Sequence, residues 1–268
     1  MPAPSEPRAT VAVIGGSGFY AFLEDAEEVP VSTPYGEPSA PVTLGTVGDV
    51  PVAFLPRHGK EHAFPPHLIN YRANLWALRS LGVRQVLAPC AVGGLRDEVA
   101  PGDLVVPDQL VDRTLSRAQT YVATGAAHVP FADPYCARLS EALAREEGVR
   151  LGGAMVVVEG PRFSTRAESQ HFAAQGWTLV NMTGHPEAVL ARELRMCYSA
   201  LALVTDMDAG VGTGQGVGQA EVFAMFARNV ERVKALLTGV VADLPSPEGC
   251  SCSSWADGIE LPYEVPGP

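Results

Sequence analysis

The sequence predicts an α/β fold, with a mixed central β-sheet flanked by helices. Three observations carry this reading. Short apolar, β-branched runs alternate with segments of helical spacing. Several runs, such as Thr10 to Ile14, Gly153 to Val158 and Cys197 to Val204, are apolar at nearly every position. A strand covered on both faces requires that. The strands also end repeatedly in glycine-rich or polar turns, where open α/β sheets build their ligand sites.

Taken in order, Thr10 to Ile14 is a buried strand that stops at Gly15-Gly16-Ser17-Gly18. Residues 22–40 are acidic and proline-rich, a loop with one edge strand. Val42 to Thr46 and Pro51 to Leu55 flank Val47-Gly48-Asp49 as a hairpin. Leu68 to Leu81 has helical spacing and stops at Gly82. Gln85 to Cys90 and Asp103 to Val106 are short strands, and Ala137 to Glu147 is an amphipathic helix. After the Gly153 strand, Arg166 to Gln175 is helical, Leu179 to Met182 extended, and Pro186 to Arg195 helical. Cys197 to Val204 precedes a glycine-rich segment, Gly210 to Gly218, and Glu221 to Leu237 is the longest amphipathic helix. No composition break or internal repeat divides the chain. Residues 1–268 therefore read as one domain with tails at 1–9 and 246–268.

Composition bounds the function. The 268 residues are 47% hydrophobic and 18% charged, a core-rich balance. Nineteen basic against thirty acidic residues give a net charge of −11. That excludes a general nucleic-acid binder, which needs a basic face, but not a small anion held at a locally positive site. No apolar run reaches the roughly 18 residues a membrane helix needs. The polar segment Met1 to Ala9 reads as a tail and not a secretion signal, and the expected location is the cytoplasm. The chain has five cysteines: Cys90, Cys136, Cys197, Cys250 and Cys252.

Five constellations stand at strand ends. Gly15 to Gly18 can turn backbone N–H groups and the Ser17 hydroxyl onto an anion, or form a plain turn. It also matches a relaxed dinucleotide fingerprint, but Pro30, Pro34, Pro38 and Pro41 stand where that motif needs a helix. Arg57-His58-Gly59-Lys60, with His62 and His67 close by, offers a guanidinium fork and an imidazole donor suited to phosphate oxygens. The histidine spacing fits no standard zinc pattern. Residues 159–168, EGPRFSTRAE, form a charged and aromatic turn in which Ser164 could also cap the following helix. In residues 181–187, NMTGHPE, Thr183 can donate to an anion and Met182 can cover an apolar ligand face; core and cap are the alternative roles. In residues 205–208, TDMD, two carboxylates at i, i+2 point the same way from an extended end, or start a turn.

The ordered set GGSG, RHG, PxxxxNYRANxWAL, EGPRFSTRAE, NMTxxPE and TDxD resembles the trimeric purine nucleoside phosphorylase and methylthioadenosine phosphorylase family, from about Val11 to Leu237. RHG, NYRAN and TDxD place it with the methylthioadenosine branch. The resemblance implies a nucleoside phosphorylase-like fold and cleavage of a purine nucleoside by inorganic phosphate. Phosphate would be held by Ser17, Arg57, His58, Ala91 and Thr183. Met182 would pack under the ribose, Phe163 and Ser164 would line the base, and Asp206 and Asp208 would read the purine. With His58, the two aspartates form the expected catalytic set. Gln219, Val222 and Phe223 would face the 5′ group, with residues 210–218 as a lid. A homotrimer is implied, with a hexamer as the alternative assembly, and His128 of a neighbouring subunit would approach the 5′ group. No metal or organic cofactor is implied. Cys90 stands where relatives carry Thr or Asn. Cys250-Ser251-Cys252 is similar to a CxC tail found in some members, read either as a strained disulfide or as two free thiols.

The implied substrate is S-methyl-5′-thioadenosine or a related adenine nucleoside, with 6-oxopurine nucleosides such as inosine and guanosine as the alternative. A 6-amino purine offers a donor at N6 and an acceptor at N7, which one carboxyl can serve together. Asp206→Asn is therefore expected to shift preference toward inosine; an unchanged adenosine-to-inosine ratio of kcat/KM would count against Asp206 as the base reader.

Overall fold

The computed structural model describes residues 6–24, 26–209, 211 and 216–268. Most of the lid segment, residues 210 and 212–215, and residues 1–5 of the amino-terminal tail lie outside them. The strands are β1 Val11–Gly15, β2 Glu27–Val29, β3 Val42–Val47, β4 Val50–Pro56, β5 Gln85–Gly94, β6 Leu104–Val106, β7 Gln109–Arg113, β8 Val149–Leu151, β9 Ala154–Val158, β10 Leu179–Asn181 and β11 Cys197–Met207. The helices are α1 Tyr71–Ser80, α2 Ala137–Ala144, α3 Arg166–Ala174, α4 Gly184–Glu193, α5 Gln219–Ala242 and α6 Ser251–Ser254.

All the strands join one mixed sheet, as the alternating pattern predicts. Its path runs β2-β3-β4-β1-β5-β10-β9-β7, and a branch leaves β5 through β11 to β6 and β8. The long strand β5 makes this branching possible. It pairs in parallel with β1 near its start, with β11 along its whole length, and antiparallel with β10 only at Gly93 and Gly94.

Strand periodicity explains the double cover. In β11, Ala200, Ala202 and Val204 join the core on the face of α1 and α4. Leu201 and Leu203 join the opposite core with α2 and α5. A strand apolar at every position is the sequence signature of that arrangement.

Several boundaries differ from expectation. Helix α1 starts at Tyr71 because the Asn70 side chain accepts the Ala73 N–H at 3.2 Å; Pro66–Leu68 forms a separate 3-10 turn. The strand expected to end at Cys90 continues to Gly94, and the one expected to end at Val204 continues to Met207, because each satisfies the other's backbone. Strands β7 and β8 were not expected. Gln109–Arg113 is polar and largely exposed, so no apolar pattern announces it; its backbone pairs in parallel with β9. No helix lies between β1 and β2 among the described residues, which removes the dinucleotide alternative.

Leu237→Ala, at a fully buried position on α5, is expected to cost about 2–5 kcal/mol. Leu115→Ala, at a position 90% exposed, should stay within about 0.5 kcal/mol. Denaturant midpoints of the two variants check this, and equal losses would contradict the assigned core.

Candidate active site

A cavity of about 330 Å³ opens where the ends of β1, β4, β9, β10 and β11 meet the second half of β5 and the first turn of α5. Its lining includes Ser17, Arg57, His58, Ala91, Phe163, Ser164, Met182, Thr183, Asp206, Asp208, Gln219, Val222 and Phe223. Every site residue expected from sequence is therefore brought together except His128, which is exposed and lies outside the lining.

Arg57 does not present its fork to the cavity as expected. Its Nε and Nη2 donate to Glu187 Oε1 and Oε2 at 2.7 and 2.8 Å. Nη2 also donates to the Ile14 carbonyl and Nη1 to the Pro89 carbonyl. Four of five guanidinium N–H groups are thus used inside the protein, leaving one on Nη1. That nitrogen faces Gly16, where an added Cβ would come within 3.0 Å of it. Burial disfavours the Arg57 charge, but the adjacent Glu187 carboxylate more than offsets this and holds its pKa above the ordinary value. Glu187 also accepts from Tyr198 Oη at 2.8 Å. The arginine is a fixed cation at the cavity wall, and its geometry is set by the carboxylate behind it.

The neighbouring anion donors are freed in a similar way. Thr183 stands at the N-cap position of α4 but makes no side-chain cap bond. Asn181 Oδ1 accepts from the N–H groups of Thr183 and Gly184 at 2.6 and 2.7 Å, and the Thr183 hydroxyl reaches the same oxygen only at 3.4 Å, a long bond that an anion in the cavity could replace. At α3 the cap is Thr165 and not Ser164. Thr165 and Glu168 form a reciprocal capping box, which leaves Ser164 to the cavity.

His58 Nδ1 lies 2.8 Å from the Phe64 carbonyl, which can only accept. Nδ1 therefore carries the proton, and Nε2 of the neutral ring is an acceptor. Burial, the facing His62 and Arg57 together push the His58 pKa down to about 3, against a partial rise from the Phe64 bond. The expected donor role thus requires a second proton, which an incoming anion would have to stabilise. His62 stacks on His58 with ring centroids 4.1 Å apart and meets the edge of Phe223 at 5.6 Å.

The two aspartates line the same cavity from the end of β11. Between Val204 and Asp206 the pairing with β5 slips by one residue, so Thr205 forms a β-bulge. Asp208 Oδ2 accepts from Ser169 Oγ of α3 at 2.6 Å. Thr205 Oγ1 lies 2.8 Å from Asp206 Oδ2 and 3.1 Å from the Val92 carbonyl. One hydroxyl proton cannot serve both oxygens. A proton on Asp206 resolves this, since the acid then donates to Thr205 and Thr205 to Val92. Its surroundings agree: burial first, then Asp208 and Glu221, raise the Asp206 pKa to about 6 despite the bond from Thr205. Gly93 makes room for this pair, because a Cβ there would sit 3.2 Å from both Asp206 Oδ1 and Asp208 Cβ.

Sequence reasoning missed Glu187, Asn181 and Ser169 as the residues that orient Arg57, Thr183 and Asp208. Glu187 and Asn181 were inside a motif already quoted, but no local signal names a partner 130 residues away.

Comparison with known proteins gives a consistent picture. Residues 10–242 match the family described as the phosphorylase superfamily. The S-methyl-5′-thioadenosine phosphorylase of Mycolicibacterium smegmatis is 60% identical over 257 residues, covering 96% of this chain and 99% of that protein. The purine nucleoside phosphorylase of Streptomyces coelicolor is 54% identical over 275 residues, covering 97% of this chain and 98% of its own. Among solved structures, a variant of the adenosine/methylthioadenosine phosphorylase of Schistosoma mansoni in complex with methylthioadenosine superimposes with a TM-score of 0.82 at 37% identity, covering 87% of this chain and 91% of that one.

Asp206 sets a testable pH dependence. Its folded value of about 6 lies above the ordinary 3.8, so the fold favours the protonated acid. Its contribution to stability is complete below 3.8 and is lost as pH rises through about 6. Carbon-13 NMR of aspartate carboxyls in the ligand-free chain should show one group titrating near 6, absent in Asp206→Asn. A spectrum in which every aspartate titrates near its ordinary value would contradict the site electrostatics.

Proposed function

The chain belongs to the phosphorylase superfamily, and we propose that it cleaves S-methyl-5′-thioadenosine with inorganic phosphate to give adenine and 5-methylthioribose 1-phosphate. The observation that carries this reading is the polarity of a single cavity. A buried cation and hydroxyl donors line it together with a half-buried carboxyl whose pKa is raised to about 6.

Phosphate is seated by the Ser17 and Thr183 hydroxyls, the Ala91 segment and the one free N–H of Arg57. His58 meets it as an acceptor for a phosphate O–H, or takes a second proton as the anion's charge arrives. These groups position the nucleophile under C1′, and Met182 supports the ribose from below. As phosphate oxygen bonds to C1′, the C1′–N9 pair of electrons moves onto the purine. Asp206, as the acid, passes its proton from Thr205 to N7, while the Thr205 hydroxyl turns from the Val92 carbonyl to the carboxylate left behind, and the charge on the purine is stabilised. Ser169 holds Asp208 beside it for the exocyclic amine. Phe163 and Ser164 line the base, and Val222 and Phe223 form the apolar side of the 5′ pocket, with Gln219 at its exposed rim.

The reading needs no cofactor beyond phosphate as co-substrate. It includes a trimeric assembly with His128 supplied across a subunit contact, since His128 is exposed and outside its own chain's cavity. It places the enzyme in purine salvage in the cytoplasm. No described helix is long and apolar enough to cross a membrane. A 6-oxopurine nucleoside is the second reading, favoured by the Streptomyces coelicolor relative named for purine nucleosides.

One assay panel separates the readings. Methylthioadenosine, adenosine, 5′-deoxyadenosine, inosine and guanosine are each incubated with and without phosphate, and base release is measured. Phosphate-dependent adenine release, fastest from methylthioadenosine, is expected. Release from inosine but not from methylthioadenosine would overturn the substrate, and phosphate-independent release would overturn the reaction.

A further inference from the structure

The four cysteines outside the cavity converge. Cys136 precedes α2, Cys197 opens β11, and Cys250 and Cys252 flank the start of α6. Their Sγ atoms all lie within 4.8 Å of one another. Cys136 and Cys250 Sγ are 3.7 Å apart, and all four are free thiols. Of the two sequence readings of Cys250-Ser251-Cys252, the structure shows free thiols and not a disulfide. The pair is neither closed on itself nor loose in a tail, but packed onto two cysteines from the core.

A tetrahedral zinc–thiolate centre with bonds of about 2.3 Å sets its sulfurs about 3.8 Å apart. The cluster is already close to that spacing. Cys136, Cys197 and Cys252 are buried and Cys250 is half-buried, so the centre is closed to solvent on most sides. Donors surround the sulfurs. Arg138 Nη2 donates to Cys197 Sγ at 3.3 Å and also interacts with Cys250, and the Leu139 N–H donates to Cys136. Such outer hydrogen bonds orient and stabilise thiolate ligands. Arg138 Nε is buried without a partner, a cation held beside sulfurs that carry no charge as thiols.

We propose that Cys136, Cys197, Cys250 and Cys252 form a structural site for a thiophilic divalent cation, Zn²⁺, which fastens the carboxyl-terminal segment to the core. Binding is an exchange of protons for metal. Four S–H bonds break, four Zn–S bonds form, four protons pass to solvent, and no electrons are transferred. The product carries a net charge of −2, facing Arg138. Four protein ligands leave no open coordination position, so the ion has no part in phosphorolysis. Cys197 and Asp206 stand at opposite ends of β11, about 30 Å apart at the usual rise per residue. The absence of a metal from the expected reaction is untouched.

The test uses the full chain, purified anaerobically in reductant. Elemental analysis should find one zinc per chain, and cobalt substitution should give the ligand-field and charge-transfer bands of a tetrahedral thiolate site. In Cys250→Ser and Cys252→Ser, zinc affinity measured against a chromophoric chelator should fall about tenfold or more. Cys90→Ser should keep its metal. Should a serine variant fail to fold, the same measurement is made on the wild-type chain after chelation, where added zinc should raise Tm. Three outcomes overturn the proposal. One is a reduced chain that takes up no zinc and gains no Tm. Another is metal retained undiminished by the double variant Cys250→Ser/Cys252→Ser. Intact mass showing two disulfides in the anaerobically isolated protein, with no metal, also overturns it.

Discussion

The buried ion pair between Arg57 and Glu187 is the interaction on which the rest of the site depends. Both side chains are essentially inaccessible, at 1% and 0% exposure. Removing one partner from such a pair leaves an uncompensated buried charge, at about 3–5 kcal/mol. Here the pair also joins elements distant in sequence. The guanidinium stands at the end of β4, its carboxylate partner lies in α4, and its remaining bonds reach carbonyls of β1 and β5. Tyr198 of β11 completes the set through Glu187. The strand ends that make the cavity are gathered around one planar cation, which explains why so little of that cation faces the cavity.

The same arrangement resolves an apparent conflict between composition and task. A chain of net charge −11 must attract an anionic co-substrate. The cavity offers it a neutral imidazole, hydroxyls and a single fixed charge that Glu187 already pairs. Such a site exerts little long-range pull on anions and selects at contact by directed hydrogen bonds. At Asp206 the logic is reversed. Burial and neighbouring carboxylates surround it instead of cations, so between its ordinary 3.8 and about 6 it keeps a proton that an exposed aspartate would lose.

How much of this was legible in sequence follows from what each feature needs. Strands covered on both faces leave a continuous apolar run, so β1, β9 and β11 could be read from composition. The edge strand β7 is fixed only by backbone pairing to β9 and leaves no side-chain pattern. Ser17, Arg57, His58, Thr183 and the two aspartates could be read because they stand in polar or glycine-rich turns at strand ends, whereas Ala91 and the α5 residues Gln219, Val222 and Phe223 came only from the family resemblance. Their supports could not. Ser169 looks like any polar residue of α3, and its bond to Asp208 spans 39 positions. The cap of α3 was legible at shortest range and was assigned to the wrong neighbour. Thr165, and not Ser164, stands three residues before Glu168, which is the spacing of a capping box.

The bulge at Thr205 links the reading frame of the sheet to the chemistry. Up to Val204, β11 and β5 march in step, and the extra residue shifts every side chain beyond it relative to the partner strand. The site therefore tolerates two kinds of change very differently. Exchanging the side chain at position 206 changes one group of the cavity lining and leaves the frame intact. Deleting a single residue at the bulge would rotate the whole carboxylate pair away from the cavity, in a strand still apolar enough to fold. The chemistry of the lining can drift by substitution, while its frame is protected against small insertions and deletions by an all-or-nothing dependence on length.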